Sequence, residues 1–433
     1  MRQQFSSSFT TILTMIGVSV GLGNVWRFPY MMGLYGGSAF LIIYLLFTFF
    51  LAVPAVTAEW ALGRSTRKGP IGAFSEAFNP TLGHIIGFIL LITVTVADSY
   101  YIVVISNVIT TAGFSMFVGF DEASISEFNS LLSNGQLQYI ISLILLALSI
   151  YVIYLGLNKG IEWISKFIVP FFLILMVYLI GHALFYGNAI EHLSTFLKPD
   201  FSKLSTEVIF AAMGQAFFSL GLGGTFMLIY GSYMRKNQNI INGAVLTSMG
   251  DVGAAILASL FIVPAILAYN LDLASGPGLL FDTLPQLFAH MPLGRFVGSL
   301  FLLGLILVAF LSNIAAFEVV AGGLVDIKIF KLTRNQVIIG LGIVEAIIIL
   351  PSALNPNLIG TLDMIFGSGM QTIGSGLTVL AVCWGIGKSE TLEEILPDAV
   401  GQKWGTFIFI WLKWIIPGAL LITLGLYLVD VIG

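Results

Sequence analysis

Two stretches of this sequence place glycine beside hydroxyl and amide side chains inside runs that are otherwise apolar. The first is Gly17-Val-Ser-Val-Gly-Leu-Gly-Asn24, followed by Val25-Trp-Arg-Phe-Pro29; the second is Ser219-Leu-Gly-Leu-Gly-Gly-Thr225. Glycine and proline each weaken a continuous helix, by adding backbone freedom or removing a hydrogen bond. A helix opened at such a point presents amide ends that favour an anion and free carbonyls that favour a hard cation. That chemistry holds a zwitterion, such as an amino acid, beside a small cation. A single glycine pair is often only a close-packing position between membrane helices. Here the two Gly-Leu-Gly interruptions, at Gly21 and Gly221, lie 200 residues apart in the first and sixth apolar runs. Matching breaks of that kind point to a midplane transport site between two structural repeats.

The elements that must position these residues are membrane helices. Of 433 residues, 58% are hydrophobic and 9% charged, against roughly a quarter charged in a soluble domain. So few charges cannot cover a water-facing surface. The apolar residues form blocks long enough to cross a hydrocarbon layer of roughly 30 Å. Runs such as Phe40 to Val56 lack the alternation of a membrane barrel, which leaves helices as the spanning structure. The reading is all-α and integral to the membrane, with eleven spans near 9–34, 38–60, 83–117, 137–156, 164–187, 207–233, 243–270, 296–325, 335–353, 357–386 and 405–430. Residues 1–433 form one transporter domain, with 1–187 as a first five-helix repeat, 207–386 as an inverted second, and 404–433 as an additional helix.

Thirteen of the 18 lysines and arginines, from Arg2 to Lys403, fall in loops on one side of this arrangement, while the other side keeps Lys198, Lys203 and Arg295. By the positive-inside rule the N-terminus is cytoplasmic and the C-terminus external. A multi-pass protein of the plasma membrane is expected, with no removable signal peptide. Cys383 is the single cysteine, so no intrachain disulfide forms. His84, His182, His192 and His290 are scattered without metal-ligand spacing. No phosphate loop or nucleophile motif is present, so neither an enzyme nor a nucleic-acid partner is expected.

Several motifs carry a resemblance. Gly21-Leu-Gly-Asn-Val-Trp-Arg-Phe-Pro29, Gly36-Gly37, Glu59-Trp60-Ala61-Leu62-Gly63-Arg64, Tyr100-Tyr101, Gly214-Gln215-Ala216-Phe217-Phe218-Ser219-Leu220 and Tyr230-Gly-Ser-Tyr-Met-Arg-Lys236 resemble the neurotransmitter:sodium symporter family, in its bacterial amino-acid branch. The general transporter pattern of paired broken helices is itself drawn in part from this family. The resemblance implies an inverted-repeat fold and Na⁺-coupled uptake by alternating access.

It also implies roles for particular residues. Arg27 and Asp363 would form an outer gate, and Arg2 with Asp326 an inner latch beside Tyr233. Tyr101 would donate to a substrate carboxylate, and Phe218 would act as a lid. A first Na⁺ would be held by Ser19, Asn24, Ser219 and Asp251 together with the substrate carboxylate. Many relatives carry a neutral amide where Asp251 stands and require chloride; a fixed carboxylate implies chloride-independent transport, or else a proton carrier. A second Na⁺ would use Gly17, Val20, Val308 and Ser312, but Leu311 stands where a further oxygen is usual. A hard cation needs oxygen ligands, so one or two Na⁺ ions are expected.

The substrate pocket would comprise Ser19, Gly21, Gly23, Ala97, Tyr101, Phe218, Ser219, Gly221, Gly224 and Ala316. Gly21 takes the place of the aspartate that monoamine carriers use for the amine, so a free amino-acid carboxylate is the expected anion. Ala97, Gly224 and Ala316 are smaller than their counterparts in the small-aliphatic carrier, which favours a large apolar or aromatic side chain. Asp98 adjoins this wall and would admit a polar or basic group if it turned inward. Glu59, Glu162, Glu318 and Glu345 are expected to brace helices or loops, with Glu59 and Glu318 serving unwound backbone. A proton-coupled carrier and a non-transporting amino-acid sensor are the alternatives to Na⁺ symport.

Overall fold

A computed structural model of the chain describes residues 3–121, 123–185, 189–273, 278–326 and 332–432. These residues contain helices and no strand. The first span is two helices, α1 (Ser8–Ser19) and α2 (Gly23–Leu34), bent by 63° across their break. Four unbroken spans follow: α3 (Ser38–Thr66), α4 (Pro80–Phe117), α5 (Gly135–Tyr154) and α6 (Leu157–Leu184). The sixth span is again divided, into α7 (Thr206–Ser219) and α8 (Phe226–Gly231). The remainder are α9 (Ile240–Ala268), α10 (Gly294–Val325), α11 (Arg334–Leu354), α12 (Asn357–Ile386) and α13 (Lys403–Leu426). Among the described residues nine helices are long and apolar enough to cross a membrane, ten with the bent first pair as one span, and the sixth expected span is represented by the shorter helices α7 and α8. The largest boundary shift is in α6, which begins at Leu157 rather than 164 because the Gly156 turn (φ 82°) restarts the helix there.

The starts of the helices have local causes. Ser7 and Thr10 form a reciprocal capping box at α1, and Thr333 and Gln336 form another at α11. Asn79, Asn134, Ser205 and Asn239 each accept a hydrogen bond from a first-turn amide of α4, α5, α7 and α9. These caps satisfy amides that have no partner inside the helix. At 38 residues, α4 is about 57 Å long. It therefore exceeds the hydrocarbon thickness and must tilt or protrude.

Helices α4, α5, α10 and α11 pack against one another as one group, while α1 lies against α9 and α6, and α8 against α3. The contact between α3 and α8 is made by backbone. A Cβ at Gly63 would meet the Leu228 carbonyl, and one at Gly231 would lie 2.7 Å from the Trp60 carbonyl. Large apolar side chains such as Phe50, Ile174 and Ile347 face outward, as a lipid-facing surface requires.

Gly63→Ala is expected to lower thermal stability by roughly 1–3 kcal/mol or to abolish folding, because neither backbone can yield to the methyl. Gly340→Ala, at an exposed helix position with open space around it, should leave the Tm unchanged or higher. Thermal melts of the two purified variants check this pair.

Candidate functional site

The two breaks face each other across a cavity of about 140 Å³. Its lining includes Ser19, Gly21, Gly23, Ala97, Tyr101, Phe218, Ser219, Gly221 and Ala316, which is every residue expected at the pocket except Gly224. At the first break, Val20 leaves the helix with ψ 117° and the chain resumes near Gly23. Three side chains take up the freed backbone groups. Asn24 Oδ1 accepts from the Gly21 amide at 3.0 Å, the Tyr101 hydroxyl accepts from the Leu22 amide at 3.4 Å, and Ser312 Oγ donates to the Val20 carbonyl at 3.2 Å. A Cβ at Gly21 would lie 3.0 Å from Ser312 Oγ and 3.1 Å from the Tyr101 hydroxyl. Glycine is needed there because those two side chains close on the backbone.

At the second break the chain turns through Gly221 (φ 62°), Gly223 (φ 83°) and Thr225 (φ 56°). Positive φ is cheap for glycine and costly for threonine. The Gly223 amide donates to Glu59 Oε1 at 2.8 Å, so Glu59 does serve unwound backbone. Gly223 also lies so close to Gln371 and Ser375 of α12 that a Cβ would overlap their backbone. Gly224 behaves differently from the expectation that it widens the cavity. The ring of Phe226 occupies the space a Cβ would take at Gly224, and Phe226 itself lines the cavity. The room left by glycine is refilled from two residues further along the chain, an exchange that position-by-position reading does not show. Tyr100, the partner of Tyr101 in its motif, also lines the cavity, as do Val94 and Gln371, which nothing in their local sequence marks for it.

Three of the four expected ligands of the first cation, Asn24, Ser219 and Asp251, are joined by hydrogen bonds beside the cavity, and the fourth, Ser19, is among the residues that line it. Asn24 Nδ2 donates to Ser219 Oγ at 3.1 Å, to Asp251 Oδ1 at 2.7 Å and to the Asp251 carbonyl at 3.2 Å. Ser219 Oγ donates to Asp251 Oδ2 at 2.7 Å. Asp251 is wholly buried, and Ser19 Oγ is buried with no hydrogen-bond partner. The Asp251 carboxylate and the Ser219 hydroxyl are oxygen donors of the kind a hard cation takes, while Asn24 faces them through its nitrogen and keeps Oδ1 on the Gly21 amide.

The second expected cation position is built differently. Ser312 Oγ and the Val20 carbonyl are in contact, and Val308 and Gly17 are buried nearby in sequence and fold. Leu311, however, packs its Cδ1 within 2.9 Å of where a Cβ of Gly17 would be. A methyl group thus presses on the carbonyl-bearing turn where an oxygen was expected.

Phe218 forms the cavity wall against Gly23, and the Arg27 guanidinium lies 4.6 Å from its ring centroid. A second hollow of about 90 Å³, lined also by Arg27, Phe217 and Thr372, shares Phe218, Gly367 and Gln371 with the first. Asp363 lines the cavity and accepts from the Tyr100 hydroxyl at 2.9 Å. Of the expected outer-gate residues, Arg27 therefore lies on the Phe218 ring and Asp363 lines the cavity that Phe218 also walls. Of the inner latch, Arg2 lies outside the described residues. Asp326 accepts from the Gly69 amide, and the Tyr233 carbonyl accepts from the Phe5 amide at 3.1 Å.

The acids sort by environment. Glu162 braces the N-terminal segment, accepting from the Ser6 amide at 2.7 Å and hydroxyl at 2.5 Å. Glu318 departs from the expectation that it serves unwound backbone: it pairs with Arg334 at 2.6 Å and accepts from the Tyr233 hydroxyl. Asp98 does reach the cavity wall, but its Oδ1 is held by Asn313 Nδ2 at 2.7 Å. In the loops, the Ser124 amide donates to Asp121 at 2.7 Å and holds that carboxyl below its ordinary range.

Leu311→Thr is expected to supply the missing oxygen and to lower, several-fold, the Na⁺ concentration that half-saturates thermal stabilisation. A sodium titration of the Tm, against wild type and with potassium as the control, reads this directly. An unchanged midpoint would mean that the Leu311 position contributes nothing to cation binding.

Comparison with known proteins agrees with this geometry. The chain matches the Sodium:neurotransmitter symporter family over residues 2–120 and 110–432. It is 28% identical over 440 residues to the uncharacterized sodium-dependent transporter YhdH of Bacillus subtilis, covering 97% of this chain and 96% of that protein. A relative in Haemophilus influenzae, also described as an uncharacterized sodium-dependent transporter, is 28% identical over 97% of both chains. Among solved structures, MhsT in complex with L-phenylalanine superposes with a TM-score of 0.86 and 30% identity, covering 98% of this chain and 99% of that one. These relatives are transporters and not enzymes. With its two broken spans, its buried oxygen cluster and a family match along almost its whole length, the chain belongs to the Sodium:neurotransmitter symporter family.

Proposed function

We propose that the chain is a Na⁺-coupled symporter of an amino acid with a large apolar or aromatic side chain, independent of chloride and working by alternating access. The observation that carries this reading is the cavity between two broken helices, with Asn24, Ser219 and Asp251 clustered at its edge. The substrate carboxylate sits at the first break, between the amides there and the Tyr101 hydroxyl, and completes the shell of the first Na⁺. Each ligand then finishes the other's site, which is the physical basis of coupling. The amino acid bound in the MhsT structure, L-phenylalanine, supports this substrate class.

The side chain of the substrate lies against Ala97, Ala316, Val94 and Phe226. Phe226, rather than Gly224, limits its bulk. The Asp251 carboxylate supplies the fixed negative charge that makes a separate anion unnecessary. The first Na⁺ site carries the coupling, and the second is weakened by Leu311. Residues 1–187 and 207–386 act as inverted repeats, with 404–433 as an added helix. The protein resides in a bacterial inner membrane with its N-terminus cytoplasmic and its C-terminus external, in keeping with the basic residues that crowd one set of loops.

Uptake of labelled amino acids into proteoliposomes tests the reading. Accumulation of phenylalanine, tyrosine or tryptophan should require an inward Na⁺ gradient and persist when gluconate replaces chloride. Uptake unchanged in potassium and driven only by pH would replace Na⁺ coupling with proton coupling, and binding without flux would indicate a sensor. Asp251→Asn should raise the Na⁺ concentration for half-maximal uptake at least about tenfold, because it leaves a buried cation without its counter-charge. Phe226→Ala should shift the preference toward tryptophan over phenylalanine by roughly tenfold, as expected for added room in an apolar pocket. Competition between the two amino acids reads that ratio.

A further inference from the structure

Glu345 has no role in the site described above, yet it is 1% exposed in the middle of α11 and its Oε1 meets no hydrogen-bond partner. The helix that bears it packs against α4, which carries a second buried acid, Asp98, 3% exposed at the cavity wall and within electrostatic reach of Glu345. Two further polar groups complete the cluster. Asn313 of α10 donates from Nδ2 to Asp98 Oδ1 at 2.7 Å, and Ser149 of α5 donates to Asn313 Oδ1 at 2.5 Å. Side chains of α4, α10 and α5 are thus hydrogen-bonded in a row inside the four-helix group, and Glu345 of α11 is buried in the same group.

The charges around the pair are all of one sign or neutral. Tyr100 and Tyr101 flank Asp98 on its own helix, and Tyr100 in turn donates to Asp363. Tyr139 of α5 uses its hydroxyl on the Ala346 carbonyl at 2.9 Å, next to Glu345. Among the described residues, no lysine, arginine or histidine forms an ion pair with either acid. Two carboxylates buried in a low dielectric without a counter-cation do not both keep their charge. The hydrogen bonds decide which one loses it. Asp98 receives an N–H donor, which favours the carboxylate, whereas Glu345 Oε1 receives none and is satisfied only by carrying a hydrogen itself.

We propose that Asp98 and Glu345 form a one-proton binding site within α4, α5, α10 and α11, in which Glu345 holds the proton and Asp98 connects the site to the substrate cavity. Binding is the addition of H⁺ to the Glu345 carboxylate, which takes the pair from two negative charges to one. The proton is released when the pair returns to two charges. The second charge, on Glu345, adds to that of Asp98 at the cavity wall and disfavours a substrate carboxylate placed beside Tyr101, so affinity for the substrate falls as pH rises through proton release. This link to the cavity rests on the symport reading; the proton itself does not.

Infrared spectroscopy of the full-length protein in lipid, without substrate, reads the proton. At neutral pH the wild type should show the carbonyl band of a buried carboxylic acid that is missing from Glu345→Gln, while Asp98→Asn keeps the band at a shifted frequency. A Glu345→Gln spectrum identical to wild type overturns the proposal. So does a band that disappears when Na⁺ replaces choline, which would make the pair a sodium site. Equilibrium binding of L-phenylalanine in saturating Na⁺ reads the link. The wild-type Kd should rise with pH by up to about tenfold per unit, and both variants should be flat. A pH-independent wild-type Kd overturns the link. If no amino acid binds in either salt, the symport reading fails while the infrared band still decides the proton site.

Discussion

A backbone amide or carbonyl left without a partner in hydrocarbon costs several kcal/mol, and the two breaks in this chain release a set of them at mid-span. Much of the central structure answers that cost. Tyr101, Asn24 and Ser312 take up the groups freed at the first break, and Glu59 those at the second. Apart from Asn24, the side chains that satisfy the breaks come from other spans of the bundle. Closing the breaks therefore assembles the bundle, and the cavity is the space the partners leave between them.

The same residues serve binding and folding. Asn24 holds the Gly21 amide with its oxygen and reaches Ser219 and Asp251 with its nitrogen. On the proposed reading, a cation entering that cluster competes with the amide donor for the Asp251 carboxylate, which makes ion binding and the conformation of the first break parts of one equilibrium. Phe218 has a comparable double duty. Its ring is a wall of the cavity on one face and a seat for the Arg27 guanidinium, an attraction worth about 0.5–2 kcal/mol.

The spans, the two breaks and most of the pocket were legible in the sequence because each rests on a local signal. Apolar runs of membrane length, glycine beside glycine, and caps such as Asn79 before Pro80 act over a few residues. The misreadings all concern side chains that reach sideways. Gly224 reads as empty space until Phe226 is seen to fill it. Glu318 reads as a backbone partner until Arg334, 16 residues on, pairs with it. Leu311 was legible as an apolar residue in place of an oxygen, and the structure adds that its methyl packs toward Gly17. The polar contact of Asp98 with Asn313, across 215 residues, has no sequence signature.

The close approach of Gly223 to α12 has a further effect. Gly374 on α12 lies close to the Gly223 carbonyl in its turn, so the loop of the sixth span and the tenth span touch main chain to main chain, with no side chain between them to yield. Two surfaces in such contact mesh as gear teeth do. A tilt of α7 or α8 that carried Gly223 along would either drag α12 with it or have to lift clear first. Asp363 and Gln371, which stand on α12, would then travel with the break, so that a movement begun at the ion cluster would alter the outer wall of the cavity in the same stroke.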